Sequence, residues 1–405
     1  MSAPSSATAA LPKPGLLVLV ATTALAPVAL NIFIPSLPGL RASLNVDYAT
    51  AQLTLTIYLA AFAVAQLIIG PLSDRHGRRP VLLSGIALFV VSSLACALAT
   101  SFEQLIVARI FQAAGGCAGI ALARAIVRDM YERDQATSRL GYVTMAMVVA
   151  PMVAPAIGGL LDEAGGWRAG FVFVAAFGAV VFVMALMQMH ETHHDRDRAA
   201  SFAKLAHNSL VLMRMPAFMG YSLNVAFSTA TFHAFLAGAP FIVTDIIGGT
   251  PVDYGLYFAL TSIGYMLGNF LTGRLSMRFG ANRMNISGSL VSLLGLSLLL
   301  VVTLLDLRLL LTLFLPMAII SVGGGLIVPA GTTSAISVRP DIAGAGAGLT
   351  GFLQVGSGAL ATFAISLLHD GTAFATVTVM VSCGVLSALF LIIGIWAASR
   401  LPAQT

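Results

Sequence analysis

Twelve apolar stretches of roughly 20 residues or more divide this 405-residue chain, and each is long enough to cross about 30 Å of hydrocarbon as a helix. Charged residues make up 9% of the chain and hydrophobic ones 58%, whereas a soluble domain is about a quarter charged. The sequence therefore predicts an all-α membrane protein. Barrel strands are excluded, because they run about 10 residues with alternating polarity. Helices satisfy the backbone within each segment, as lipid requires.

The predicted spans cover about 15–38, 48–71, 80–100, 104–126, 138–161, 167–189, 217–243, 253–273, 283–304, 309–330, 342–367 and 372–398. They group as a disordered leader at 1–14, a six-helix bundle at 15–189, a polar linker at 190–216, a second six-helix bundle at 217–398 and a tail at 399–405. The first apolar run is too long for a signal-peptide core and reads as a retained helix. Cys96, Cys117 and Cys383 each fall inside an apolar stretch and read as packing.

Charge sets the expected orientation. With the N-terminus in the cytoplasm, 17 of the 21 Lys and Arg fall on the cytoplasmic side, three outside, and Arg109 within span 4. That bias places both termini inside. It also accounts for the basic pI of about 9.4 as topology, so no nucleic-acid partner is expected.

Residues 70–77, GPLSDRHG, and residues 273–280, GRLSMRFG, share G-x-L-S-x-R-x-G at an offset of 203, half the chain. Each joins an even-numbered span to the next on the cytoplasmic side. This predicts two parallel halves, an arrangement of secondary transporters.

GPLSDRHGRRP at 70–80, Arg109 in ARIFQAAGG and APMVAPAIGG at 150–159 resemble signatures of the major facilitator superfamily, of its twelve-helix drug:proton antiporter type. ARAIVRDMY at 123–131, FLAGAPF at 235–241 and NIFIPSLP at 31–38 resemble its bicyclomycin/chloramphenicol resistance (Bcr/CflA) branch. The resemblance implies two pseudo-symmetric bundles in a multi-pass protein of a bacterial inner membrane. It implies a monomer that exports small amphipathic or drug-like molecules by alternating access, confers antibiotic resistance, uses no cofactor and draws on the proton gradient. One position departs. The branch commonly has Asp where this chain has Asn31, and all 16 acidic residues lie in loops or at helix ends. An uncoupled facilitator or importer is therefore a second reading.

The residues have physical roles of their own. Gly77 permits a tight turn, and Pro80 suits the first position of span 3. If the halves pack as in the family, Asp74 faces the N-terminus of span 11, where the helix dipole favours an anion and AGAGAGLTG allows close approach. Gly70, Asp74, Arg75, Gly77, Arg78 and Arg79 would then latch the halves together; the arginines equally serve topology alone. Arg109 lies about 9 Å into its span at 1.5 Å per residue. Such a cation faces a cavity or a partner, or snorkels outward. Gln112 shares its face one turn on. Asn31 and His233 reach similar depths in spans 1 and 7. His233 titrates near neutrality and is a candidate replacement for the missing acid, or a neutral cavity-lining histidine.

Pro151, Pro155, Gly158 and Gly159 suit a kinked, closely packed span 5, though general helix packing also explains the glycines. Phe33, Tyr58, Phe111, Asn224, Phe227, Phe232, Phe235 and Gln354 are candidates for a broad substrate cavity. HETHH at 190–194 matches a zinc-protease pattern and raises a remote alternative, an intramembrane metalloprotease. Its position at the end of span 6 before DRDR reads as a solvated loop, so no metal site is expected.

Overall fold

Asp47 opens the first of the long uninterrupted helices by accepting a hydrogen bond from the backbone N–H of Thr50 at 2.8 Å, an N-cap that satisfies a donor the helix leaves free. Thr250 and Asp253 form a reciprocal capping box on a second, and Thr372 caps a third. In the computed structural model, which describes residues 15–130, 149–151, 153–192 and 202–400, these and similar signals delimit fourteen helices. They are α1 (Leu16–Asn31), α2 (Leu37–Leu44), α3 (Tyr48–His76), α4 (Arg78–Leu98) and α5 (Phe102–Met130). Helical residues 149–151 and 153–165 form α6. Then follow α7 (Trp167–Gln188), α8 (Phe202–Met213), α9 (Pro216–Phe241), α10 (Pro251–Phe279), α11 (Ala281–Leu304), α12 (Leu310–Ser337), α13 (Ala343–Leu368) and α14 (Ala373–Ala398). No strand occurs among the described residues.

Among the described residues, ten segments are long and apolar enough to cross a membrane, α1 and α2 counting as one. α10, at 29 residues, and α6 complete twelve crossings. Several run further than the apolar stretches suggest. α3 continues through Arg75 and His76, so Asp74 and Arg75 sit in a helix rather than a loop. α4 starts at Arg78, which puts Pro80 third and not first. The first crossing breaks after Asn31 into a 3-10 turn, Ile34–Ser36, before α2. α9 ends in a π turn, Ile242–Ile247. The linker is not wholly irregular, because α8 lies in it and Leu212 joins the buried apolar cluster that includes Phe218, Ala345 and Leu349.

The repeated octapeptide gives the same backbone twice. Gly77 and Gly280 each sit between two helices with φ of 98° and 82° and ψ of 154° and 155°. Their N–H groups bond to Ser73 O and Ser276 O at 2.9 and 2.8 Å. A side chain disfavours that positive φ, so the glycine that ends each copy of the pattern is a conformational requirement.

α1, α3, α4, α5 and α7 pack on one another, as do α9 to α14; the two sets meet where α3 lies along α13 and where the 3-10 turn after α1 meets α10. α6 also touches α10. A Cβ on Gly159 would stand 2.7 Å from Pro251 O, and one on Gly255 would stand 2.6 Å from Pro155 O. Gly158 packs within its own set on the Ile32 carbonyl.

Candidate functional site

The polar bonds described between the two sets gather toward one end of the molecule. Tyr48 Oη and Gln52 Nε2, one turn apart on α3, both donate to Ala237 O of α9, at 2.5 and 2.8 Å. Ser366 Oγ donates to Gln52 Oε1 at 3.1 Å. Thr56 and Thr362 share a hydrogen bond of 2.8 Å, and Arg41 pairs with Asp245 at 2.8 Å. The His369 ring, just past α13, lies 4.7 Å from that of Tyr48 and 4.6 Å from that of Phe241. Burial pushes the His369 pKa below its ordinary value; nearby Asp370, Asp245 and Asp47 oppose this and Arg41 adds to it. This tied end closes the space between the sets.

At the opposite end the sets stand apart. A Cβ on Gly70, Gly344 or Gly348 would meet nothing described within 4 Å, and contact begins only at Gly351, against Gln66. Asp74 pairs with Arg78, not with the N-terminus of α13 as expected. Arg78 is buried and also bonds to Ser73 Oγ at 2.5 Å and Asp129 Oδ2 at 3.1 Å. Arg75 is exposed, and Arg79 donates to Leu186 O at 3.3 Å. Asp74, Gly77, Arg78 and Arg79 thus form a cluster within one set in this state. Glu191 of HETHH belongs to the cluster. Its carboxylate accepts from the N–H groups of Arg78 and Arg79 at 2.9 and 3.3 Å, capping α4, and occupies the place a Cβ on Gly77 would need. His193 and His194 lie outside the described residues.

Between the tied end and the open end lies a cavity of about 270 Å³. Six expected residues line it: Asn31, Tyr58, Pro151, Phe232, His233 and Gln354. Asn31 Nδ2 donates to Pro27 O at 2.8 Å, a carbonyl of its own helix. His233 Nδ1 donates to Thr229 O at 2.9 Å, which leaves Nε2 with the lone pair of the neutral ring. Sequence reasoning missed Thr261, Ser262, Tyr265 and Ser321 in the same wall. Scattered hydroxyls on α10 and α12 carry no pattern that marks a site.

Arg109 does not reach this cavity. It is fully buried, stacked on the rings of Tyr58, Phe33 and Phe171 at 4.2, 5.0 and 5.6 Å. It donates to Ala29 O at 3.3 Å and Gln112 Oε1 at 2.7 Å, and Gln112 donates in turn to Ser93 Oγ at 2.9 Å. Of the expected alternatives, a cavity, a partner or snorkelling, the contacts show a cation held by partners. Aromatic faces and a carbonyl hold it inside one bundle, where cation–π contact replaces water.

Five other cavity candidates also lie elsewhere. Phe111 is 51% exposed on the outer face of α5. Phe33 packs on Phe171 at 4.9 Å beneath Arg109. Asn224 donates to Ser387 O at 3.0 Å, Phe227 stacks on Phe390 at 5.5 Å, and Phe235 meets Phe314 at 5.6 Å. The last four fill helix contacts, because in an all-apolar bundle a side chain packs as well against a neighbour as against a ligand.

The family model described as Major Facilitator Superfamily matches residues 19–362. The chain is 31% identical over 357 residues to multidrug resistance protein D of Escherichia coli, covering 88% of this chain and 89% of that one. It is 30% identical over 384 residues to a chloramphenicol resistance protein of Pseudomonas aeruginosa, covering 94% and 89%. Among solved structures, a bacterial homologue of the human lysosomal transporter Spinster, in an inward-facing and occupied conformation, superposes with a TM-score of 0.74 at 18% identity, covering 95% and 96%.

Proposed function

The chain belongs to the major facilitator superfamily, in its bicyclomycin and chloramphenicol resistance branch, and from that premise we propose that it exports small amphipathic or drug-like molecules in exchange for protons. It is a multi-pass membrane transporter and not an enzyme, which sets the metalloprotease reading aside. The observation that carries the proposal is the cavity itself, tied shut between the two helix sets at one end and flanked by unpacked glycines at the other. Alternating access needs that asymmetry to reverse, and the small residues of α13 allow the open end to close.

The charge bias supports both termini in the cytoplasm. On that orientation the tied end faces outward, and the state described is inward-facing. Two six-helix bundles, divided at the 190–216 linker, would rock about the cavity in a monomer of the bacterial inner membrane. His233 is the lining side chain whose free ring nitrogen, Nε2, can take up a proton, with the proton gradient as the energy source. Arg109 acts from behind Tyr58, fixing the electrostatics of the wall. Asn31 favours a second reading, a facilitator or importer without coupling, because no carboxylate lines the cavity among the described residues.

Substrate flux in proteoliposomes with and without an imposed pH gradient separates the two. Antiport predicts gradient-driven flux, lost in His233→Ala and raised in Asn31→Asp. Flux indifferent to the gradient supports facilitation, and gradient-driven flux that survives in His233→Ala removes His233 from the coupling.

A further inference from the structure

We propose that the cavity selects uncharged, hydrogen-bonding solutes and turns away permanent cations, a charge selectivity that rests on the transport reading and narrows it. Among the described residues, His233 and the phenols of Tyr58 and Tyr265 are the titratable groups in the wall; no Asp, Glu, Lys or Arg lines it. A cation entering from water would give up hydration and find no counter-charge, which is costly in a low-dielectric space. The nearest fixed charge is also positive. The Arg109 guanidinium stacks at 4.2 Å on Tyr58, whose ring belongs to the wall. Its described hydrogen bonds go to a carbonyl and an amide, and no carboxylate among the described residues pairs with it. Its field is therefore not cancelled locally, and it repels a cation held beyond the ring.

What the wall offers instead is hydrogen bonding. Asn31 Oδ1, Thr261 Oγ1 and Ser321 Oγ are buried oxygens without a partner among the described residues, and all three residues line the cavity. Asn31, Thr261 and Ser321 are 3%, 0% and 4% exposed. Buried polar atoms are nearly always paired, and leaving one unpaired is more costly than a made bond is worth. They lie on three helices, α1, α10 and α12, drawn from both sets. A solute that satisfies them bridges the two halves. Asn31 supplies an acceptor, the hydroxyls supply either role, and the remaining wall is mostly apolar, including Leu30, Leu59, Phe62, Phe232 and Met317. The fitting solute is thus a neutral molecule with an apolar ring system and one or two polar groups.

The test is a matched pair of probes, triphenylphosphine oxide, which is neutral with a strong acceptor, and methyltriphenylphosphonium, a permanent cation of nearly the same shape. Equilibrium dialysis against the purified full chain in lipid nanodiscs measures saturable binding. The oxide is expected to bind at least about tenfold tighter, since one uncompensated charge a few ångströms away is worth that much or more. Asn31→Asp should shift the ratio toward the cation by about tenfold or more, while Thr261→Val should weaken the oxide severalfold and leave the cation unchanged. Equal or tighter binding of the cation by the unaltered protein overturns the proposal, as does a ratio unmoved by Asn31→Asp or the absence of saturable oxide binding. Because binding is read without flux, a protein that keeps this preference but fails to move solute in proteoliposomes would overturn the transport reading alone.

Discussion

The guanidinium of Arg109 and the ring of Tyr58 are stacked at 4.2 Å, with the cation on one side of a wall and the cavity on the other. Tyr58 Oη also donates to Ala26 O at 3.1 Å, which ties the ring to α1. Tyr58→Phe should lose that single bond, worth about 1 kcal/mol, and keep the stack. Tyr58→Ala should cost about 3–5 kcal/mol and open the cavity to the guanidinium. The expected readout is a small fall in thermal unfolding temperature for the first variant and a large one for the second. Only Tyr58→Ala should gain saturable binding of the anion tetraphenylborate. No gain there would mean the ring does not screen Arg109.

The glycines of α6 should divide by what they touch. Gly159 and its opposite number Gly255 face the other helix set, whereas Gly158 faces Ile32 in its own. Gly159→Ala or Gly255→Ala should disfavour the tied state by about 1–3 kcal/mol, the usual cost of an extra methyl in a packed contact, without unfolding the protein. Gly158→Ala should lower thermal stability instead. Spin labels at Ala42 and Thr250 report the separation of the tied end. If all three variants lengthen that distance alike, the division is wrong.

Tyr48 and Gln52 converge on one carbonyl, so their losses should combine. Tyr48→Phe removes one bond worth about 1 kcal/mol, roughly a fivefold shift in population, and Gln52→Leu removes two, to Ala237 O and from Ser366 Oγ, and should shift it further. The double variant should shift the tied state by the sum or more, because nothing then engages Ala237 O from across the interface. The same label pair measures it, and a double variant no different from Tyr48→Phe would contradict a shared acceptor.

His369 gives the tied end a pH dependence of definite sign. Burial favours its neutral form there, whereas an opened end returns it toward the ordinary value near 6.5. The stabilisation is therefore fully present above about pH 6.5 and is lost as the pH falls below it. Acidifying the solution should lengthen the Ala42–Thr250 distance, and His369→Phe, which keeps the ring contacts with Tyr48 and Phe241, should abolish that response. An identical response in His369→Phe would assign it to Asp47, Asp245 or Asp370.

Much of the architecture was legible because length and hydropathy are one-dimensional. Apolar runs became helices, and the octapeptide repeat announced two turns that share one backbone geometry at Gly77 and Gly280. The sequence also located Asn31 and His233 at a common depth, and both line the cavity.

Depth along a helix is arithmetic, but direction around it is not. A soluble helix shows its core face by contrast with a polar one; in lipid the outer face is as apolar as the inner, so Phe111 and Phe33 read alike although one faces outward and the other is sealed under Arg109. The sequence by itself determined the crossings, the repeat and the scarcity of buried charge. Tertiary packing alone decided that Arg109 stands behind a ring, that Glu191 caps α4, and that Tyr48 and Gln52 meet Ala237. Each of those is a contact between residues 51 to 189 positions apart, and which partner a side chain finds at that range depends on how the helices rotate and lean against one another.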